Sequence, residues 1–128
     1  MIRLNEGAMS EMKNVLVVDD SMVARMMVKE IIRREFPSWR VIEAKDSREA
    51  LRLAADLPLD IMVVDYNMEG LDGLELCKQL KVKFPNIQGA LLTANIQDVL
   101  RQRAEEGGLM FINKPVNPDL IIAFLKGE

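Results

Sequence analysis

Four short apolar runs in this sequence end in polar residues that could take part in chemistry. The first run ends in Asp19 and Asp20, the second in Asp65, the third in Thr93 and the fourth in Lys114. Short runs rich in Val, Ile and Leu, separated by helix-length amphipathic segments, are typical of buried parallel strands in an α/β domain. Ligands of such domains bind beyond the carboxyl ends of the strands. We therefore expect these five side chains to meet at one edge of a sheet.

Three carboxylates at one sheet edge favour a divalent metal and a phosphoryl group. Such carboxylates repel one another strongly unless a cation neutralises them or some of their pKa values rise. Oxygen ligands without nitrogen or sulfur favour Mg²⁺, which completes its shell with water and phosphate oxygens. A carboxylate can also attack phosphorus and form an aspartyl phosphate if a metal and a cation stabilise the charge.

The residue types and their spacing assign a role to each group. Asp65 is the best candidate for the nucleophile, because it is a single acid that ends an entirely apolar strand. Asp19 and Asp20 are adjacent, and a pair of acids on one tight turn suits metal binding. Lys114 would supply a positive charge to the phosphoryl group, and Thr93 a hydroxyl donor to one of its oxygens.

The elements that would position these residues alternate five times between strand and helix. Apolar residues recur between the strands with the spacing of amphipathic helices. The predicted buried faces are Ala24, Met27, Val28, Ile31 and Ile32 in the first helix, Ile96, Val99, Leu100 and Ala104 in the fourth, and Leu120, Ile121, Phe124 and Leu125 in the last. Residues 1–13 show neither period and are predicted to form a flexible tail before a folded domain at 14–128.

Length and composition favour a single compact domain. A chain of 128 residues with 49% hydrophobic and 29% charged residues suits one hydrophobic core. No uninterrupted apolar stretch approaches the roughly 20 residues that span a bilayer. The N-terminus also lacks the apolar core of a signal peptide. The sequence therefore predicts a cytoplasmic protein with no membrane partner.

Cysteine, histidine and charge counts argue against several classes of function. The single cysteine cannot form an internal disulfide, and the lack of histidine removes the commonest general base and transition-metal ligand. Triad and zinc chemistry are therefore disfavoured. The net charge of −3 and the interspersed Lys and Arg residues provide no basic stripe. We therefore expect no direct DNA binding.

The order and residue types of five motifs resemble the receiver domains of bacterial two-component response regulators. The resemblance runs from about Asn14 to the C-terminus. It implies a doubly wound five-stranded parallel sheet of strand order 2-1-3-4-5, the flavodoxin-like fold. One departure is Glu69, which stands where the family commonly has proline. The matching motifs are Val17-Val18-Asp19-Asp20-Ser21, Asp65-Tyr66-Asn67-Met68, Leu71-Asp72-Gly73, Thr93-Ala94, and Phe111 three residues before Lys114-Pro115.

The same resemblance implies a role for each site residue and a set of partners. Asp65 would accept a phosphoryl group from a sensor histidine kinase or a phosphotransfer protein. The implied Mg²⁺ ligands are Asp19, Asp20 and Asp65, directly or through water, with the backbone carbonyl of Asn67; Thr93 and Phe111 would be the switch pair, and Lys114 the cation.

A stand-alone receiver would pass on its signal by contact with a downstream protein. We expect that contact on the fourth helix, fifth strand and fifth helix, where Arg101, Arg103, Glu105 and Glu106 are the candidate exposed residues. Such a chain would not be an enzyme, apart from catalysing its own phosphotransfer and dephosphorylation.

Other interpretations of the same residues remain open at this point. One is a Mg²⁺-dependent phosphohydrolase with an aspartyl nucleophile, although enzymes resembling the haloacid dehalogenase family carry that nucleophile on the first strand in an Asp-x-Asp pattern. Another is an adaptor that has lost phosphorylation and binds its partners constitutively. Thr93 could also simply cap the next helix, and Phe111 could simply belong to the core.

Overall fold

A five-stranded parallel sheet forms the centre of the protein, as seen in a computed structural model that describes residues 12–95 and 97–127. The strand order β2-β1-β3-β4-β5 confirms the predicted fold. All four strand pairings are parallel, so the carboxyl ends of the strands lie at one edge. The strands are β1 (Asn14–Val18), β2 (Arg40–Ala44), β3 (Ile61–Asp65), β4 (Gln88–Thr93) and β5 (Leu109–Asn113).

Helices follow each strand and cover both faces of the sheet. Residues alternate between faces along a strand: Val15 and Val17 of β1 pack on one side, and Leu16 and Val18 on the other. Buried residues of α1 and α5 join the first cluster, and those of α2, α3 and α4 join the second. The helices are α1 (Met22–Glu35), α2 (Ser47–Ala54), α3 (Gly73–Lys83), α4 (Asp98–Glu106) and α5 (Pro118–Leu125).

Side-chain caps explain where most of these helices begin. Ser21 caps α1 by accepting a hydrogen bond from the backbone N–H of Ala24 at 3.2 Å. Asp46 and Asp72 accept in the same way from the third residues of α2 and α3. Asn117 accepts from two N–H groups of α5 and is followed by proline at the first helical position. These caps fix the points at which the chain leaves the functional edge of the sheet.

Three residues predicted to lie on buried helix faces are exposed instead. Met27 is 45% exposed, Val99 61% and Leu120 47%. Each comes one residue before a buried residue, and one step along an α-helix turns a side chain by roughly 100° away from the core. Ile96, assigned to the same face as Val99, lies outside the described residues.

Together with Met27, three other exposed apolar residues of α1 form an apolar surface. Met22 is 64% exposed, Val23 64% and Met26 57%, and they lie on the helix that leaves the functional edge of the sheet. Exposed apolar groups of this kind are typical of protein contact sites.

The limits of the described chain bear on two further predictions. Within residues 12–95 and 97–127, every helix is too short or too polar to cross a membrane. The predicted flexible tail at residues 1–13 falls mostly on residues 1–11, which lie outside the described part. The predicted boundary between tail and domain therefore stays a prediction.

Candidate functional site

The three predicted carboxylates meet at the carboxyl edge of the sheet. Asp65 is the last residue of β3, and Asp19 and Asp20 directly follow β1, which pairs with β3. Each of the three offers a carboxylate oxygen, and these oxygens lie within 4.8 Å of one another. Asp19 and Asp65 are each 2% exposed, whereas Asp20 is exposed to solvent.

Lys114 joins this cluster from the end of β5 and contacts two carboxylates at once. Its Nζ lies 3.0 Å from Oδ2 of Asp19 and 3.1 Å from Oδ1 of Asp65. The backbone N–H of Lys114 donates to the carbonyl of Thr93 at 2.9 Å, which ties the end of β5 to the end of β4. The peptide bond between Lys114 and Pro115 is cis. The ammonium group of Lys114 therefore lies between Asp65, the predicted nucleophile, and Asp19, a predicted metal ligand.

The charges of this cluster shift the pKa values of two groups. Burial, and then the negative charge of Asp19, raise the pKa of Asp65 above its usual range, although Lys114 and the backbone N–H of Asn67 act in the opposite direction. Burial acts to lower the pKa of Lys114, but contacts with Asp19 and Asp65 outweigh it and raise that pKa. The cluster therefore contains three carboxylates and only one ammonium group, that of Lys114, so a further positive charge would stabilise it.

The donor set fits a hard divalent cation. All three acidic side chains offer oxygen, and one oxygen each of Asp19 and Asp65 is already bound by Lys114. The second oxygen of Asp19 accepts from the backbone N–H of Ser21 at 2.9 Å, which orients the carboxylate. None of the described residues donates a hydrogen bond to the carboxylate of Asp20. A cation that prefers oxygen and retains several waters suits such an open, partly solvated cluster.

The loop after Asp65 is closed by backbone contacts at both ends. The N–H of Tyr66 donates to the carbonyl of Leu92 at 2.8 Å, and the N–H of Gly73 donates to the carbonyl of Tyr66 at 2.9 Å. A Cβ added at Gly73 would lie 2.8 Å from Cα of Tyr66 and would also collide with the backbone carbonyl of Asp65. Only glycine lets α3 start this close to the strand end. Asn67, the predicted backbone ligand, is exposed in this loop.

Thr93 lies at the end of β4 and is not the cap of the following helix. It is fully buried, and its Oγ1 accepts a hydrogen bond from the backbone N–H of Asn95 at 2.9 Å. The N-cap residue of α4 is Gln97, four residues after Thr93. The interpretation of Thr93 as a helix cap is therefore wrong, and its role as a switch residue stays a prediction.

Phe111 on β5 lies partly buried beneath an arginine of α4. The guanidinium of Arg101 lies 4.6 Å from the centroid of the Phe111 ring, within the range of a cation–π contact. Nη2 of Arg101 also reaches Oδ1 of Asn113 at 3.4 Å. Among the described residues, Nδ2 of Asn113 is a buried polar atom without a partner. Phe111 is therefore linked directly to the charged surface of α4.

The sequence analysis missed Arg25, which contacts the site from behind, and Glu43, which holds Arg25 in place. Arg25 of α1 donates to the backbone carbonyl of Asp19 at 2.6 Å and to Glu43 of β2 at 3.2 Å. One signal was available, because Glu43 is a partly buried charged residue next to apolar residues of β2 and requires a partner there.

Comparison with known proteins identifies relatives over most of the chain. A family model described as the response regulator receiver domain matches residues 15–126. The chain is 34% identical to the cyclic di-GMP phosphodiesterase response regulator RpfG of Xanthomonas campestris over 109 residues, covering 82% of this chain but only 29% of RpfG. It is 31% identical to the chemotaxis protein CheY of Listeria monocytogenes over 116 residues, covering 90% of this chain and 97% of that protein.

Solved structures share the same fold. The chemotaxis response regulator CheY4 of Vibrio cholerae aligns with a TM-score of 0.79 and 28% identity, covering 91% of this chain and 98% of that one. The arrangement of strands and helices described above is therefore shared with a solved chemotaxis response regulator.

Proposed function

The chain belongs to the response regulator receiver domain family, whose members are phosphorylation-dependent signalling switches of two-component systems, and we propose that Asp65 is its phosphoacceptor. One contact carries this assignment. Lys114 lies between Asp65 and Asp19, with its Nζ about equally far from both carboxylates. A phosphoryl group on Asp65 would therefore form beside a positive charge already in place.

Acidic groups around Asp65 support a magnesium-dependent transfer. Asp19, Asp20 and the backbone carbonyl of Asn67 would hold Mg²⁺ together with Asp65. The bound ion would neutralise charge on the transferred phosphoryl group. An oxygen of Asp65 would attack the phosphorus atom of the donor, a new P–O bond would form, and the bond to the leaving group would break. Lys114 would bind an oxygen of the transferred group, and the hydroxyl of Thr93 would donate to another.

A change at Asp65 can reach the surface through Phe111. Phosphorylation adds nearly two negative charges and strong acceptor oxygens. We propose that the Thr93 hydroxyl is drawn toward them and that the Phe111 ring follows into the space left behind. Because Arg101 lies over this ring, a rotation of Phe111 would also displace a charged side chain of α4.

Partners of this family include histidine kinases, phosphotransfer proteins and downstream targets. For the downstream partner we propose the face formed by α4, β5 and α5. Its α4 part carries the exposed residues Arg101, Arg103, Glu105 and Glu106. The cytoplasmic location and the lack of direct DNA binding stay predictions.

Phosphorylation by a small donor tests the central assignment. With Mg²⁺ and acetyl phosphate, intact-mass analysis should show one added phosphoryl group, because this chain supplies both the nucleophile and the cation. Asp65→Ala should show none, and Asp56→Ala, which changes an exposed aspartate, should behave like the parent. An adduct that persists in Asp65→Ala would overturn the assignment.

A turnover assay with a phosphate ester, together with the phosphorylation experiment, tests the two rival functions, a phosphohydrolase and a constitutive adaptor. We propose that the chain catalyses only its own phosphorylation and dephosphorylation, so p-nitrophenyl phosphate should not be turned over. Multiple turnovers of that ester, lost in Asp65→Ala, would favour a phosphohydrolase. Failure of the intact parent to take up any phosphoryl group would favour a constitutive adaptor.

A further inference from the structure

The polar groups of Asp19 make four contacts, of which the one to Arg25 is the least expected. The N–H of Asp19 donates to the carbonyl of Ala44 at 3.1 Å, and its carbonyl accepts from Nη1 of Arg25 at 2.6 Å. Its two carboxylate oxygens accept from Ser21 and Lys114. Every polar group of Asp19 therefore has a defined partner.

The carbonyl bound by Arg25 belongs to the peptide that joins Asp19 to Asp20. Because a peptide unit is planar, fixing this carbonyl also fixes the direction of the Asp20 N–H and the start of the Asp20 side chain. None of the described residues holds the Asp20 carboxylate directly. The orientation of the exposed acid therefore depends on the backbone behind it.

Arg25 is itself held in place from β2. Its Nε donates to Oε1 of Glu43 at 3.2 Å, and the other oxygen of Glu43 accepts from Lys29 at 3.2 Å. The Arg25 side chain is only 15% exposed, whereas that of Lys29 is 42% exposed. Although partial burial acts to raise the pKa of Glu43, Lys29 and Arg25 hold it below its usual range. Glu43 thus stays ionised as an anchor for the guanidinium.

We propose that Arg25 is a positioning residue that holds the peptide between Asp19 and Asp20 in the orientation needed for both acids to bind a divalent cation. This inference rests on the proposed cation site. Arg25 acts through the backbone and does not touch the cation, and Glu43 fixes the guanidinium from the neighbouring strand. Residues that orient metal ligands in this way typically contribute roughly ten- to hundredfold to metal affinity.

Electrostatics alone makes the opposite prediction, which gives the proposal a clear test. Arg25 carries a positive charge close to a site for a positive ion. If its charge were its only effect, its removal would strengthen cation binding. If it positions the peptide, its removal weakens cation binding in spite of that gain.

The experiment compares Arg25→Met with a matched control, Lys29→Met. Each variant removes one positively charged partner of Glu43 and keeps a long unbranched side chain at the substituted position. Only Arg25, however, contacts the Asp19 carbonyl. Calorimetric titration with Mg²⁺ should show a dissociation constant raised roughly tenfold or more in Arg25→Met. Lys29→Met should bind as the parent does or slightly more tightly. Arg25→Lys, which retains the charge and one donor, should recover part of the loss.

A second measurement needs no cation. In chelator, the amide resonance of Asp20 should shift in Arg25→Met and stay in place in Lys29→Met, because that amide belongs to the peptide in question. Unchanged or tighter Mg²⁺ binding by a folded Arg25→Met, or an unmoved Asp20 resonance, would overturn the proposal. If the parent itself bound no Mg²⁺, the proposed cation site would fail, and the Asp20 resonance would still decide whether Arg25 fixes the peptide.

Discussion

Replacing Asp65 by asparagine should stabilise the cation-free protein at neutral pH, although it removes the proposed phosphoacceptor. The Asp65 carboxylate is buried, and an oxygen of Asp19 lies within 4.8 Å of it. Two unit charges at that separation repel by about 3.5 kcal/mol at an effective dielectric constant of about 20. Lys114 offsets part of this repulsion, but burial and Asp19 still hold the pKa of Asp65 above 3.8. The ionised carboxylate therefore destabilises the folded state.

The size of the gain follows from the repulsion between the two carboxylates, and its pH dependence follows from the raised pKa of Asp65. Because Lys114 offsets part of the repulsion between Asp19 and Asp65, we expect Asp65→Asn to add about 1–2 kcal/mol to the free energy of unfolding at neutral pH, or roughly 5 °C in Tm. The folded parent binds this proton more tightly than the unfolded chain, so its stability falls as the pH rises from 3.8 through the raised pKa. The difference in free energy of unfolding between Asp65→Asn and the parent should therefore shrink as the solution is acidified through the same pH interval.

Thermal and urea unfolding in chelator, followed by circular dichroism over a range of pH, measure this effect. Asp56→Asn is the matched control, because it changes the net charge equally at an exposed position. A variant at Asp65 that is no more stable than this control at neutral pH would refute the reasoning. A gain that did not change with pH would also refute it, since it would not come from ionisation of Asp65.

Two further substitutions test the cation and the proposed switch. Lys114→Met should cost about 3 kcal/mol in chelator, because it leaves two buried carboxylates without their cation. Saturating Mg²⁺ should then raise Tm more in this variant than in the parent, and an equal response in both would contradict the neutralising role of Lys114. Thr93→Ala should still be phosphorylated at Asp65. Beryllofluoride, which stands in for the phosphoryl group, should shift amide resonances across α4, β5 and α5 in the parent but mainly around Asp65 in the variant; equal remote shifts in both proteins would show that Thr93 does not transmit the change.

The sequence predicts which residues meet at the site because these residues stand at the ends of apolar strands. Asp65 and Lys114 needed only the rule that parallel strands end at one edge of a sheet. Arg25 could not be found in this way, since it lies a full turn inside a helix and its role depends on its distance from the Asp19 carbonyl. Periodicity also failed for Val99, because an apolar residue type does not specify which of two neighbouring helix positions faces the core.

The close approach at Gly73 separates two kinds of sequence change around the phosphoacceptor strand. The hydrogen bond from Gly73 to Tyr66 closes the intervening loop, so exposed positions inside it, such as Glu69, can vary in character while the loop ends stay fixed. Position 73 has no such freedom, since any side chain there would push α3 away from the carbonyl of Asp65. Variation that tunes access to the site can therefore accumulate in the loop, while Gly73 sets the backbone geometry within which the loop can vary.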